Sequence, residues 1–379
     1  MRSDEGRPAD PAAPHGRSGA STAAEPAAGA EPSAAPEADR RGAPGLPVQV
    51  RPLSGAEARR VPELWNAAWA HLPTNPYPLA ERLWRERLAS RHHDPSLLLG
   101  AFAHGELVGY AHGKVPASPW QPAGVAWVSS LAVAAGYQGR GVGSALLDAL
   151  LDLLTAAGAR EVRFGSDADH LLPGVPMEAP PTAWRLLRRR GARFGALEHD
   201  LRLDLRVPLP PAPLPEGWRL RDDDPEGALA FVERAFPGRW AEELAAYVSG
   251  GATVFTVERT PAHPSGASAG AEGFCVAFLG GESVTSPGLH WSQALVREVP
   301  GGSLGAIGPL GVAPEVRGGG VGLALVRGAA EALHRRGVTD AIINWTTLGA
   351  FYGRLGARAW RTYQRAQATL PVVRSGGDV

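Results

Sequence analysis

Two short glycine-rich runs stand out as the residues best suited to chemistry: Gln138-Gly139-Arg140-Gly141-Val142-Gly143 and Arg317-Gly318-Gly319-Gly320-Val321-Gly322. Each follows an apolar run with strand character and precedes a run with leucines at helical spacing. The first N–H groups of a helix have no internal partner. Together with the helix dipole they form an anion site. Glycine lets the backbone approach phosphate oxygens closely and tolerates positive φ. A dinucleotide turn, G-x-G-x-x-G, is excluded, because its last position falls on Ser144 in one run and Leu323 in the other. A Walker turn needs G-K-[ST], and neither run has that lysine. A ligand-free turn would suffice for one such run; two runs in the same context favour phosphate binding.

The elements around these runs repeat. The first half predicts a strand near residue 48, a helix over 56–70, and strands over 96–103 and 107–113 joined by His104-Gly105-Glu106. A strand over Val125–Val133, a helix over 144–157 ended by Gly158 and a strand over 162–165 follow. Proline density makes 207–215 a linker. The second half predicts a strand over 218–221, a helix over 227–248 and strands over 253–258, 273–279 and 304–312. A helix over 323–336 and a strand over 341–345 complete it. Sliding Leu131 onto Leu310 without gaps also matches Val133 with Val312, Gly139 with Gly318, Gly141 with Gly320, Gly143 with Gly322 and Gly158 with Gly337. The chain is read as a duplication: a disordered Ala/Pro-rich tail over 1–45, domains over 46–206 and 216–372, and a flexible end over 373–379.

The pattern [Gln/Arg]-x-x-Gly-x-[Gly/Ala] after a strand resembles motif A of the GNAT superfamily of N-acetyltransferases. The resemblance spans nearly all of the chain from Val48 to Leu370. It implies an α/β chain of two tandem GNAT domains, each a mixed, mostly antiparallel sheet whose central parallel pair splays and is flanked by helices. Acetyl-CoA, or another acyl-CoA, becomes the expected cosubstrate. Its pyrophosphate would lie on Gln138, Gly139, Arg140, Gly141, Val142 and Gly143, and on Arg317, Gly318, Gly319, Gly320, Val321 and Gly322. Its pantetheine would pair like an extra strand with Leu131, Ala132 and Val133, or with Leu310, Gly311 and Val312. The family polarises the thioester carbonyl with a backbone N–H. Pro309 has none, so Leu310 takes that role by expectation.

The run Phe351-Tyr352-Gly353-Arg354-Leu355-Gly356-Ala357 is similar to the family's second signature. The resemblance makes Tyr352 the acid that protonates the departing CoA thiolate. A phenol, with a pKa of about 10, stays protonated at neutral pH and can donate to a thiolate. When Gly191 is laid on Gly356, Leu187 replaces the tyrosine. Chemistry is therefore expected in the C-terminal domain, with a degenerate CoA-binding or scaffold domain before it. No acid stands in VAWVSSLAV or LGAIGPLGV to act as base; His290, Glu298 and Glu315 read as solvated loop groups. Asn344 and Thr346 are read either as hydrogen-bonding groups for substrate or as strand-end caps. Asp167, Asp169 and His170 match no metal-ligand spacing. Their loop is assigned to substrate contact or to covering the N-terminal cleft.

Composition narrows the function classes. Lys plus Arg and Asp plus Glu both number 38, so no basic field draws nucleic acid or anionic lipid. No stretch reaches the roughly 18 apolar residues of a membrane span. A cytoplasmic protein without metal, monomeric or homodimeric, is expected. The lone cysteine, Cys275, lies in the apolar run GFCVAFL and reads as core. The expected activity is acetyl transfer to a primary amine of a small molecule. A non-catalytic acyl-CoA sensor and a protein lysine acetyltransferase remain open alternatives.

Overall fold

Local signals account for the start of the ordered chain. Strand β1 (Gln49–Pro52) is followed by Ser54, whose hydroxyl and Glu57 form a reciprocal cap on α1 (Gly55–Ala58). Pro62 then sits in the first turn of α2 (Val61–Ala68), so the helix expected over 56–70 is two helices. The computed structural model describes residues 47–169, 171–280, 287–297 and 299–372. The expected tail and C-terminal end, His170 and Glu298 lie outside the described residues.

The first half continues with α3 (Glu81–Leu88), β2 (Leu98–Ala103), β3 (Glu106–Lys114), β4 (Val125–Val133) and α4 (Val142–Ala156). Then come β5 (Glu161–Phe164), the two-residue β6 (Val175–Pro176), α5 (Pro181–Arg188) and β7 (Arg193–Asp204). The second half runs β8 (Trp218–Arg221), α6 (Pro225–Ala235), α7 (Arg239–Ser249), β9 (Thr253–Arg259) and β10 (Gly273–Leu279). It ends with α8 (Pro287–Ser292), β11 (Leu304–Val312), α9 (Val321–Arg335), β12 (Asp340–Thr346), α10 (Gly349–Gly353) and β13 (Arg358–Thr369). The helix expected over 227–248 breaks at Gly238, whose φ of 115° a helix cannot hold. Helices α3 and α8 and the long strands β7 and β13 were not anticipated. Helix α3 buries only Leu83 and Trp84 among charges, a weak apolar period.

All strands but β6 lie on one path, β1-β2-β3-β4-β5-β13-β7-β12-β11-β10-β9-β8. Its order shows an exchange. The last strand of the second half, β13, pairs with β5 of the first, Thr369 opposite Glu161. The last strand of the first half, β7, pairs with β12 of the second, Asp204 opposite Asp340. The two exchanged strands then pair antiparallel with each other at the centre.

Packing follows the exchange. Leu201 and Leu203 of β7, and Leu205 just after it, are buried in the cluster around α9, with Leu325, Val326 and Leu333. Ala366 and Ala368 of β13 are buried in the cluster around α4, with Leu146, Leu150 and Leu154. Each buried leucine stabilises by roughly 1.5–3 kcal/mol, so each half draws core stability from the other's final strand. Scanning calorimetry is expected to show one unfolding transition for both halves. A chain ending before Arg358 should lose that transition altogether; a surviving first-half transition would show that β13 is dispensable to it.

Candidate active site

In each half one parallel pair opens into a fork. Strand β4 pairs with β5 from Val125 opposite Glu161 to Val128 opposite Phe164, and then continues to Val133 paired only with β3. Strand β11 pairs with β12 only from Leu304 opposite Asp340 to Ala306 opposite Ile342, although both strands run further. A register shift lies at the fork in both copies, between His112 and Gly113 on β3 and between Cys275 and Ala277 on β10.

Alternation of antiparallel hydrogen bonds decides which amides face the gap. The Ala134 N–H bonds Val108 O at 2.9 Å, and the Ala313 N–H bonds Glu272 O at 2.8 Å. In the same register Ala132 and Gly311 direct their amides to β3 and β10. Leu131, Val133, Leu310 and Val312 therefore direct theirs to the open side. Of the strand residues singled out in the sequence, these four present N–H groups to the fork, while Ala132 and Gly311 do not.

The glycine turns cap the forks. Gly139 and Gly141 have φ of 74° and 85°, and Gly318 and Gly320 have 82° and 87°, values that L side chains rarely adopt. Among the described residues, no main-chain acceptor serves the N–H groups of residues 139–144 or 318–322. Gly139, Arg140, Gly141, Gly318 and Gly319 are exposed. The leading residue of each motif fixes the turn to its strand. The Gln138 amide donates to Val133 O at 2.9 Å and to Ala68 O at 3.3 Å. Arg317 Nε donates to Val312 O at 3.2 Å. Val142 and Val321 are buried and anchor the helix starts behind the exposed amides.

The helices beside the turns also correspond. A Cβ on Gly143 would meet Leu186 of α5 at 3.6 Å, and one on Gly322 would meet Phe351 of α10 at 3.5 Å. Leu187 and Tyr352, the next residues, are both buried. Burial pushes the Tyr352 phenol up from its ordinary value, so it is protonated at neutral pH. Burial likewise pushes up the Cys275 thiol, which is fully buried in the α9 cluster, so it is no nucleophile.

On the sheet face away from α4, the first fork is filled with charge. The fully buried Asp167 receives Lys114 Nζ at 3.2 Å and the Ser129 hydroxyl. Lys114 also pairs with Asp169, which accepts from Ser90 Oγ at 2.6 Å. Burial opposes ionisation of Asp167, but Lys114 and the Ser129 hydroxyl outweigh it and hold the carboxyl below the usual range. These two acids belong to a buried ion-paired cluster. In the second half Phe278 stands opposite Ala306 where Lys114 stands opposite Trp127.

Thr346 Oγ1 accepts the Leu348 N–H at 2.9 Å, which is strand-end capping. Asn344 packs against Gly288, where a Cβ would meet its Nδ2 at 2.4 Å. His290 is half-buried with Nε2 3.1 Å from Pro78 O, and burial lowers its pKa; it is not a solvated loop group. Glu315 is exposed.

A further cluster, centred on Asp200 of β7, escaped the sequence reading. The Tyr363 hydroxyl donates to it at 2.8 Å and the Trp345 N–H at 3.3 Å. Arg361 stacks over Trp360 at 4.4 Å and Tyr77 at 4.9 Å and donates to Trp291 O at 3.0 Å. The alternation Glu198, Asp200, Arg202, Asp204, with His199, Leu201 and Leu203 between them, reads as an outward face; only the exchanged strand order buries its middle.

The sequence pattern of the acetyltransferase (GNAT) family matches residues 60–172. A mycothiol acetyltransferase of Thermobispora bispora is 31% identical over 291 residues, covering 72% of this chain and 84% of that protein. A GCN5-related glucosamine N-acetyltransferase region of a fungal multi-domain enzyme superposes with a TM-score of 0.70 at 23% identity, over 86% of this chain and 38% of that one. A tandem GNAT protein from the clavulanic acid biosynthesis pathway superposes with a TM-score of 0.56 at 16% identity, over 85% of this chain and 98% of that one. The chain thus belongs to the GNAT family of N-acetyltransferases, as a tandem member with two copies of the fold.

Proposed function

We propose that the chain moves an acetyl group from acetyl-CoA to a primary amine of a small molecule, with chemistry in the C-terminal half. The observation that carries this reading is the pairing of an outward Leu310 amide with Tyr352 beside the same turn, where the other copy has Leu187. The diphosphate of CoA takes the exposed amides of the turn, and its pantetheine lies along β11 in the fork. The amine nitrogen attacks the thioester carbon. The Leu310 N–H stabilises the oxyanion. The C–S bond breaks, and Tyr352 gives its proton to sulfur. The N-terminal half keeps the turn and the amides but lacks the phenol, and Lys114, Asp167 and Asp169 fill its acceptor side. It holds acetyl-CoA without turning it over. Curated relatives named mycothiol acetyltransferases favour a small acceptor over a protein lysine.

Three outcomes test the reading. Tyr352→Phe should lower CoA release across a panel of amines by about 10²-fold or more and leave acetyl-CoA binding intact. If no amine releases CoA from a wild type that binds acetyl-CoA, the chain is a sensor instead. Calorimetry should resolve two acetyl-CoA sites, with Gly320→Val removing the productive one and Gly141→Val the silent one. A β-branched residue cannot adopt either φ without moving the amides. Lys114→Met should cost about 3–5 kcal/mol of stability by stranding a buried carboxylate, with turnover retained below the melting range. The cluster's contribution is present above about pH 4, the unfolded carboxylate range, and is lost as pH falls, because the Asp167 pKa is depressed in the folded state.

A further inference from the structure

The reaction proposed above leaves one proton without a receiver, since β4 and β11 carry no acid. We infer that Asp200, supplied by the N-terminal half's last strand, accepts the acceptor amine's proton for the C-terminal site, with Tyr363 holding it in place. This inference rests on the reading of the C-terminal site just given.

Strand β7 lies beside β12, and Asp200 falls opposite the irregularity of β12 between Ile343 and Thr346. That is the stretch where β12 has left β11. Trp345 there has a φ of 54°, and its N–H meets one Asp200 oxygen at 3.3 Å. Leu201 and Leu203 face α9, so by strand alternation Asp200 faces the opposite side of the sheet. That side is covered by α6, α7 and α8 in this half, and Asn344 meets Gly288 of α8 there. Tyr363, fully buried on β13, donates to the other carboxylate oxygen at 2.8 Å. A carboxylate has about four acceptor positions, so two donors leave lone pairs to receive a proton directly or through one water.

The groups facing Asp200 come from three strands: Tyr363 and Arg361 on β13, the Trp345 N–H on β12 and Glu198 on β7 itself. Burial dominates and pushes the carboxyl up to about 6, against the Tyr363 hydrogen bond and the Arg361 charge. Such a group is ionised at neutral pH yet basic enough to take a proton. The other copy offers no equivalent. When Gly191 is laid on Gly356, Asp200 falls on Arg365, a cation paired with Glu198. Base and acid are thus both present at one fork and both missing at the other.

The protons balance. The ammonium gives up two: one ends on the CoA sulfur by way of Tyr352, and the other passes to Asp200 and then to solvent as the carboxyl ionises again. No other reactant is needed.

The test is the pH dependence of kcat/KM for the full chain with acetyl-CoA and an accepted amine, beside calorimetric acetyl-CoA binding. The wild type should show a rising limb near pH 6. Asp200→Asn should abolish that limb, lower kcat about 10²-fold or more and leave acetyl-CoA affinity within twofold, with partial recovery on amines of low pKa. Tyr363→Phe keeps the carboxylate and removes a donor that lowers its pKa, so its limb should move to higher pH even if the asparagine variant fails to fold. Unchanged limbs in folded variants that still turn over would overturn the assignment alone. A wild type without turnover on any amine would overturn it together with the reading on which it rests.

Discussion

The antiparallel pairing of β7 with β13 is the constraint on which the rest of the molecule depends. Each strand is covalently the end of one half and structurally the completion of the other. Two leucines of β7, with Leu205 just after it, belong to the core beneath α9, and two alanines of β13 to the core beneath α4. Removing either strand would expose a sheet edge and hollow out the opposite core. The two copies are duplicated in sequence and inseparable in packing.

Within that frame each fork arises from local causes. The parallel strands part after a few residue pairs, and a register shift at the same place in both copies re-aims the strand that continues. Beyond it every second amide is released to the open side, and the glycine turn adds more at the start of a buried, leucine-rich helix. The repeat extends to backbone strain. Ser166 and Trp345, at matching positions after β5 and within β12, both hold positive φ, which non-glycine residues seldom do.

Much of this was legible in the residues. Glycines in register located the two strand–turn–helix junctions, and leucine spacing located α4 and α9 to within two residues. The opposition of Tyr352 and Leu187 was visible from Gly191 and Gly356. What escaped were features set by long-range packing. The polar period of β7 and β13 looks like a solvent face until the exchange places it mid-sheet. Lys114 and Asp167 lie far apart in sequence, and only the fold pairs them. Asp200 was hidden for the same reason: its partners, Trp345 and Tyr363, belong to the half of the chain that follows it. Helices 56–70 and 227–248 were each read as one because Pro62 and Gly238 act at interior positions that apolar periodicity passes over.

Exchanged terminal strands also bear on how such a chain can change over time. Two duplicated copies that packed separately would be free to drift apart. Here each copy supplies a wall of its neighbour's core and receives one in return. A change that preserves the packing of one half therefore preserves that of the other, and neither copy can be shed or recombined without its sibling.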